Sequence, residues 1–362
     1  MKLAFLAGQN SIHTIKWVNE MAKRGHAVNL ITMHQGDESL HDNVLVYRLP
    51  FSAPVGYYAN VLHLRKILRS IKPDLLNTHY ASGYGTLARL SGFRPNLLSV
   101  WGSDVYDFPN QSQMNYSILR KNLMAADRIA STSHVMKSQT ESVYTPVKEI
   151  IVTPFGVDIN KFKPAGSKWD GNKIIIGTVK RMMPKYGISN LIEAFALLNT
   201  ITEKKLELIL VGGGPQEEEL KILCKKLNVD QKVKFIGPIS HHEVPEWLNR
   251  FDIYCALSTL DSESFGVAVI EASACSLPVI VSDAGGLPEV VMDGKTGYIV
   301  PRNDPEAAAE KMNLLINNES LLRNMGQAGR KHVLKNYQWP DNADHMENVY
   351  KIVIDDYYDE SS

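Results

Sequence analysis

Residues 2–33 read KLAFLAGQNSIHTIKWVNEMAKRGHAVNLITM, and their pattern decides the fold class. An apolar run over 2–7 ends in Gly8 and is followed by the polar loop Gln9-Asn10-Ser11. From His13 to Arg24 the pattern is helical until Gly25 stops it, and 27–33 is apolar again. Strand, glycine-bearing loop, helix, glycine stop and strand make the βαβ unit of a parallel sheet. The loop lacks the G-x-G-x-x-G fingerprint, which argues against a nicotinamide dehydrogenase.

The alternation continues outward from this unit. Helices are expected over 58–71, 85–91 and 117–126, and strands over 74–78, 96–100, 128–131 and 149–152. Residues 161–172, with Pro164, Gly166 and Gly171, read as a linker. Beyond it, strands are expected over 173–179, 206–211, 232–236, 253–257 and 278–282. Helices are expected over 190–199, 216–227, 243–250 and 265–274. Further helical patterns cover 305–316 and 320–335, Pro340 interrupts, and an amphipathic stretch over 342–354 leads into a solvated acidic end around Asp355, Asp356, Asp359 and Glu360. The expected architecture is α/β: two doubly wound, Rossmann-like domains, 1–163 and 164–338, facing each other across a cleft, with 339–362 returning towards the first. Ligands of such sheets bind at the carboxyl ends of strands, at topological switch points.

Composition agrees with two ordinary domains. The 362 residues are 44% hydrophobic and 22% charged, which excludes a disordered chain or a fibre. Lys and Arg total 39 and so do Asp and Glu, which argues against a nucleic-acid binder. Residues 1–165 nevertheless carry 18 basic and 11 acidic side chains, a balance of +7 that the remainder offsets. A basic first half suits an anionic surface or substrate. Cys224, Cys255 and Cys275 show no metal-ligand spacing and no disulfide framework, so buried thiols in a reducing cytoplasm are expected. The N-terminal apolar run is too short for a signal-peptide core, and no run approaches the ~20 residues of a membrane span.

The most informative stretch for chemistry is 263–291, ESFGVAVIEASACSLPVIVSDAGGLPEVV. Glu263 lies after an expected strand and Glu271 within the next helix, whose N-terminal amides, at Phe265, Gly266 and Val267, suit a diphosphate. Read on composition alone, Glu263 is a capping acid and Glu271 a solvated helix residue. The stretch resembles the hallmark segment of family-4 retaining glycosyltransferases of the GT-B fold. Further similarity lies in Phe155-Gly156-Val157-Asp158 with Phe162, Val211-Gly212-Gly213-Gly214-Pro215, Phe235-Ile236-Gly237, Ala194-Phe195 and Asp293-Gly294-Lys295-Thr296-Gly297. In the first half it lies in His13 and Ala22-Lys23-Arg24-Gly25-His26.

The resemblance implies roles. Glu271 would bind the nucleotide ribose and Glu263 the donor sugar, with the backbone of Ser264, Phe265, Gly266 and Val267 holding the diphosphate. Arg181 would neutralise the leaving diphosphate, assisted by Lys180 or Lys185, because Tyr186 stands where the family has its lysine. Trp101 stands where many members have a histidine, which makes Asp104 and His79 candidates for orienting the acceptor hydroxyl. The Gly8 loop and His13 would line the acceptor side. For Asp104, His79, Lys180 and Lys185 a structural or solvated role is the competing reading. Retaining members are thought to use front-face attack, the departing phosphate taking the acceptor proton, so no dedicated base is needed. No metal and no cofactor are expected beyond a nucleotide diphosphate sugar, with a UDP-sugar as the first candidate.

The expected acceptor is a glycan or lipid-linked hydroxyl, as in surface polysaccharide or glycolipid synthesis. In 61–72, VLHLRKILRSIK, the stripe Leu64, Ile67, Leu68 and Ile71 with Arg65, Lys66, Arg69 and Lys72 around it suits peripheral contact with anionic lipid on the inner face of the cytoplasmic membrane. A core-packed helix with a basic outer face is the alternative. The competing functions are a sugar-nucleotide epimerase on the same fold, which would act without acceptor, and a non-catalytic donor-binding scaffold.

Overall fold

A computed structural model describes residues 1–166 and 173–360; the second half of the expected linker, 167–172, lies outside them. The chain forms two compact units, Met1–Pro154 with Asp341–Ser362, and Phe155–Pro340.

Unit 1 holds seven parallel strands: β1 (Lys2–Leu6), β2 (Ala27–Thr32), β3 (Val44–Arg48), β4 (Leu75–His79), β5 (Asn96–Val100), β6 (Arg128–Ser131) and β7 (Ile151–Val152). Their order is β3-β2-β1-β4-β5-β6-β7, so the winding reverses between β1 and β4. β1, β4 and β5 are buried almost end to end; β1 is apolar after Lys2, whereas β4 and β5 bury polar side chains that bond one another, Thr78 to Asn96 and Ser99 to Asn77. The first helix, Ile12–Lys23, is capped by Ser11, whose side chain accepts from the Thr14 N–H.

Unit 2 holds β8 (Lys173–Val179), β9 (Lys205–Val211), β10 (Val233–Gly237), β11 (Ile253–Ala256), β12 (Val279–Ser282) and β13 (Gly297–Val300). All pair in parallel in the order β10-β9-β8-β11-β12-β13, with the reversal between β8 and β11. Ile174, Ile176, Leu208, Leu210, Ile253 and Ile280 join one core with the helices Ile188–Ile201 and Pro305–Ile316.

Several expectations are corrected. The apolar stripe of the helix Val61–Ile71 is core: Leu64, Leu68 and Ile71 are buried and Ile67 packs on them, so that stripe offers nothing to a membrane. Pro340 does not interrupt; it lies in the first turn of the helix Trp339–Asp359, where a missing N–H costs nothing. The acidic end is not merely solvated. Asp356 accepts from Arg128 at 2.6 Å, Lys148 pairs with Glu360 at 2.7 Å, and these cations hold the Asp356 carboxyl below its ordinary pKa. Tyr350 of the same helix is fully buried, its hydroxyl oxygen accepts from Asn77 Nδ2 at 2.8 Å, and its ring meets the edge of Phe5. Arg24 binds Glu20, Asp344 and Glu347, which gives the Arg-Gly-His motif a structural task.

Candidate functional site

The donor-side candidates gather at the switch point of unit 2. Lys180 and Arg181 leave the end of β8, and Glu263 lies between β11 and the helix Val267–Ala274. Glycines set the loop positions. A Cβ on Gly212, whose φ is +125°, would come within 2.1 Å of the Lys180 carbonyl oxygen, and one on Gly285 within 2.3 Å of that of Glu263. Those two motif glycines are therefore there to let backbones touch behind the site.

Lys180 Nζ lies 2.9 Å from Glu263 Oε1, with side chains only 11% and 10% exposed. Burial opposes the ammonium, but Glu263, Tyr254 and Tyr186 outweigh it and raise its pKa above the usual lysine value. Tyr186, the departure from the family pattern, has Lys180 Nζ at 4.8 Å and Lys185 Nζ at 4.9 Å from its ring centroid. Lys185 also donates to the Ser262 carbonyl at 3.5 Å. Arg181 is exposed, and among the described residues its guanidinium has no ion pair or hydrogen-bond partner. The N–H groups of Phe265, Gly266, Val267 and Ala268 likewise find no acceptor among the described residues. Gly266, at φ +94°, caps the helix, which begins two residues later than expected. Phe265 is wedged edge-on between Phe155 and Tyr337, which fixes this loop.

Glu271 is buried, not solvated, and Oε1 lies 2.9 Å from His241 Nε2. His241 was not among the sequence candidates. Its only signal was a polar His-His pair in the loop after β10, a strand end like those bearing the other candidates.

Unit 1 assembles His13, His79, Trp101 and Asp104 at the ends of β4 and β5. His79 is fully buried. Its Nδ1 meets Thr14 Oγ1 at 3.2 Å, and its ring centroid lies 4.3 Å from that of Trp101. Burial, assisted by His13, pushes its pKa down to about 3, so the imidazole stays neutral at physiological pH. The His13 ring approaches Trp101 edge-on at 6.0 Å. Asp104 is also buried; Oδ2 accepts from the Ala81 N–H at 2.7 Å, and Oδ1 from those of Trp101 at 3.1 Å and Gly102 at 2.8 Å.

Gly8 lines a pocket of about 450 Å³ with Asn10, His34, Tyr57, Tyr80 and Tyr84. Tyr80 sits at φ +71°, an uncommon backbone state that clusters at functional sites. No Lys, Arg, Asp or Glu is among the lining residues. Tyr84 is locked by His34 Nδ1 at 2.7 Å and by the Met33 N–H at 3.3 Å. Sequence reasoning missed this aromatic wall, because Tyr57 comes from the short helix Gly56–Ala59, far in sequence from Tyr80 after β4 and Tyr84 in the helix Gly83–Ser91. A larger pocket of about 940 Å³ in unit 2 opens beside Lys173, Glu207 and Trp247, at the amino ends of the strands, and contains no candidate residue. Among the described residues, no group of three or more His, Cys, Asp or Glu side chains is placed to hold a metal ion.

Two doubly wound parallel sheets, with cations, free amides and carboxylates at one switch point, define a two-unit α/β protein whose second unit offers donors suited to an anion. Comparison with known proteins makes this specific. Residues 160–332 match the family described as glycosyl transferases group 1, and residues 2–133 match glycosyl transferase 4-like. The chain is 31% identical over 268 residues to the GDP-mannose-dependent alpha-(1-6)-phosphatidylinositol monomannoside mannosyltransferase of Mycolicibacterium smegmatis, covering 70% of this chain and 69% of that one. It is 26% identical over 358 residues to the N-acetyl-alpha-D-glucosaminyl L-malate synthase of Bacillus anthracis, covering 93% and 92%. The structure of Anabaena HepE in complex with UDP superposes with a TM-score of 0.81 at 19% identity, over 97% of this chain and 100% of that one. The chain belongs to the group 1 glycosyltransferases and has the GT-B fold.

Proposed function

We propose that this glycosyltransferase moves a hexose-type sugar from a nucleotide diphosphate sugar to a hydroxyl of a glycan or lipid-linked acceptor, with retention at the anomeric carbon and without a metal. The observation that carries the donor assignment is the group of unspent donors in unit 2: the Arg181 guanidinium and the four amides from Phe265 to Ala268, beside Lys180 and Glu263. Helix N-terminal amides and arginine stabilise a diphosphate, and the charge that grows on it as the sugar leaves, with no cation required. Glu263 would meet the donor sugar, and Glu271 the ribose. UDP is the first candidate because HepE is solved with it, and GDP is the second because the mycobacterial relative is GDP-mannose-dependent.

In this reading the bond from the anomeric carbon to the diphosphate oxygen breaks as the acceptor oxygen attacks the same face, and the departing phosphate takes the acceptor proton. Neutral His79 and Asp104, whose carboxylate is occupied by backbone N–H groups, then act by holding the Trp101 loop rather than as bases. The Gly8 pocket with its tyrosines receives the acceptor. Peripheral membrane contact moves to a different surface: Phe51, Val55, Tyr58 and Leu62 are exposed, next to exposed Arg65, Lys66 and Arg69. No helix among the described residues is long and apolar enough to cross a membrane.

Calorimetric titration with UDP, GDP, ADP and CDP in EDTA tests the donor site. Selective binding of one diphosphate, weakened at least about tenfold (~1.4 kcal/mol) by Arg181→Ala, supports the reading. Binding of none refutes it. Sugar turnover without any acceptor would favour an epimerase instead, and loss of all turnover on chelation would remove the metal-free mechanism.

A further inference from the structure

We propose that His241 is a positioning residue for nucleotide recognition: held in one tautomer by Lys161, it donates its single N–H to Glu271 Oε1 and so fixes the other carboxylate oxygen for the ribose. This rests on the reading of Glu271 as the ribose-binding carboxylate.

The argument starts from burial. Glu271 is 5% exposed, and a carboxylate taken from water needs a donor. Among the described residues His241 is the side chain that hydrogen-bonds it, Nε2 to Oε1 at 2.9 Å. The opposite ring nitrogen, Nδ1, faces Lys161 Nζ at 3.2 Å. An ammonium carries protons and no lone pair, so in this contact Nδ1 must accept, and the ring proton resides on Nε2. Lys161 therefore selects the tautomer in which His241 donates to Glu271, much as a metal-bound histidine is oriented by the partner of its second nitrogen.

The ring is also held in place. Phe162, buried beside Lys161, packs against it with centroids 5.6 Å apart. Arg330 donates to the Phe162 carbonyl at 3.2 Å and also to the carbonyl of Ala274, the last residue of the helix that carries Glu271. The Phe155–Phe162 segment, whose motif had no task of its own, is thus tied to the Glu271 helix twice, through His241 and through Arg330. With Oε1 occupied, Oε2 is the oxygen left to accept from ribose hydroxyls. The expected consequence is discrimination between ribose and deoxyribose, which a general loss of folding would not change.

The test is calorimetric titration of the full chain with UDP and 2′,3′-dideoxy-UDP, or with the GDP pair where GDP is the tighter ligand. Wild type should prefer the ribonucleotide by at least about tenfold. Glu271→Ala should abolish that ratio. His241→Ala should cut it at least about fivefold, and His241→Gln, whose amide still donates, should restore it to within about twofold. A full ratio in His241→Ala alongside its loss in Glu271→Ala overturns the role of His241 and leaves that of Glu271 intact. Equal weakening of both nucleotides by His241→Ala makes the histidine merely structural and overturns the proposal. A full ratio in Glu271→Ala, or no binding by wild type, removes the ribose reading and the proposal with it. Should His241→Ala fail to fold, Lys161→Met keeps the ring but frees its tautomer and must lower the ratio at least about twofold; an unchanged ratio overturns the proposal.

Discussion

Replacing Lys180 with methionine separates electrostatics from packing at the proposed donor site. The pair it breaks is 2.9 Å long, with both side chains about nine-tenths buried. At an effective dielectric of about 20, two unit charges at that distance attract by about 6 kcal/mol, much of which repays their desolvation. One-sided removal is a different matter, because Glu263 stays buried without its cation, and such losses run at about 3–5 kcal/mol. For a unit the size of 155–340, each kcal/mol moves Tm by roughly 2–4 °C, so Lys180→Met should melt roughly 6–20 °C lower without nucleotide. Glu263→Gln removes the charge but keeps an acceptor, and the double variant should recover much of the loss. The pH arm has a definite sign. The folded pKa of Lys180 lies above that of a free lysine, so its stabilisation is complete below about pH 10.4 and is lost as pH rises through the folded value. The gap between wild type and Lys180→Met should therefore stay constant from neutral pH to about 10 and narrow only as pH rises beyond the ordinary lysine value. A variant melting within about 2 °C of wild type, or a double-mutant cycle with coupling under about 0.5 kcal/mol, would refute the reasoning.

Gly187→Ala should destabilise unit 2 by at least about 2 kcal/mol, because φ is +59° and the new Cβ would lie 1.8 Å from the Leu257 carbonyl oxygen; chemical denaturation measures this, and a neutral effect contradicts the packing. Tyr350→Phe should cost about 1–3 kcal/mol by leaving buried Asn77 Nδ2 without its acceptor, read from the urea midpoint of unit 1. Leu62→Asp should leave Tm unchanged, since Leu62 is 74% exposed, yet reduce co-sedimentation with anionic vesicles. Wild-type sedimentation that ignores anionic lipid content would eliminate that surface.

The parts of the fold legible in the sequence were those whose burial writes a pattern. β1 is buried on both faces and reads as an apolar run before Gly8, and β4 and β5 are marked by the apolar pairs Leu75-Leu76 and Leu97-Leu98 between loops, their other residues, Val100 aside, being buried polar ones. β3 went unread because it is an edge strand with Leu45 and Val46 facing outward, so no buried face marks it. The helix His134–Val143 was also missed; only Met136, Thr140 and Val143 are buried, too thin a stripe to show a period. At the site, Glu263 and Glu271 stood out through a short contiguous motif, but their partners could not. Lys180 lies 83 positions from Glu263, and His241 lies 30 from Glu271. The basic amphipathic helix was half legible: its stripe was real, but periodicity does not distinguish a core from a membrane, and here the core has it.

Under the proposed donor assignment, the way hydrogen-bonding capacity is spent in unit 2 says which part of a donor would carry the binding. Both carboxylates already have one donor, Glu263 from Lys180 and Glu271 from His241, so neither is an uncompensated buried charge. Among the described residues, the Arg181 guanidinium and the amides of Phe265 to Ala268 are donors that remain unspent around this loop. Those amides cannot turn away, since Phe265 is held by Phe155 and Tyr337, and Gly285 and Gly286 press against the Glu263 and Ser264 carbonyls behind them. Fixed, unsatisfied donors require an anion or water, and an anion gains more from them because they need no reorganisation. The diphosphate should therefore dominate affinity, with ribose and sugar contributing selectivity. It follows that inorganic pyrophosphate should compete with the nucleotide, and that Arg181→Ala should weaken nucleotide and pyrophosphate by the same factor while Glu271→Ala weakens the nucleotide alone. Pyrophosphate that fails to compete would move the anion site away from this loop.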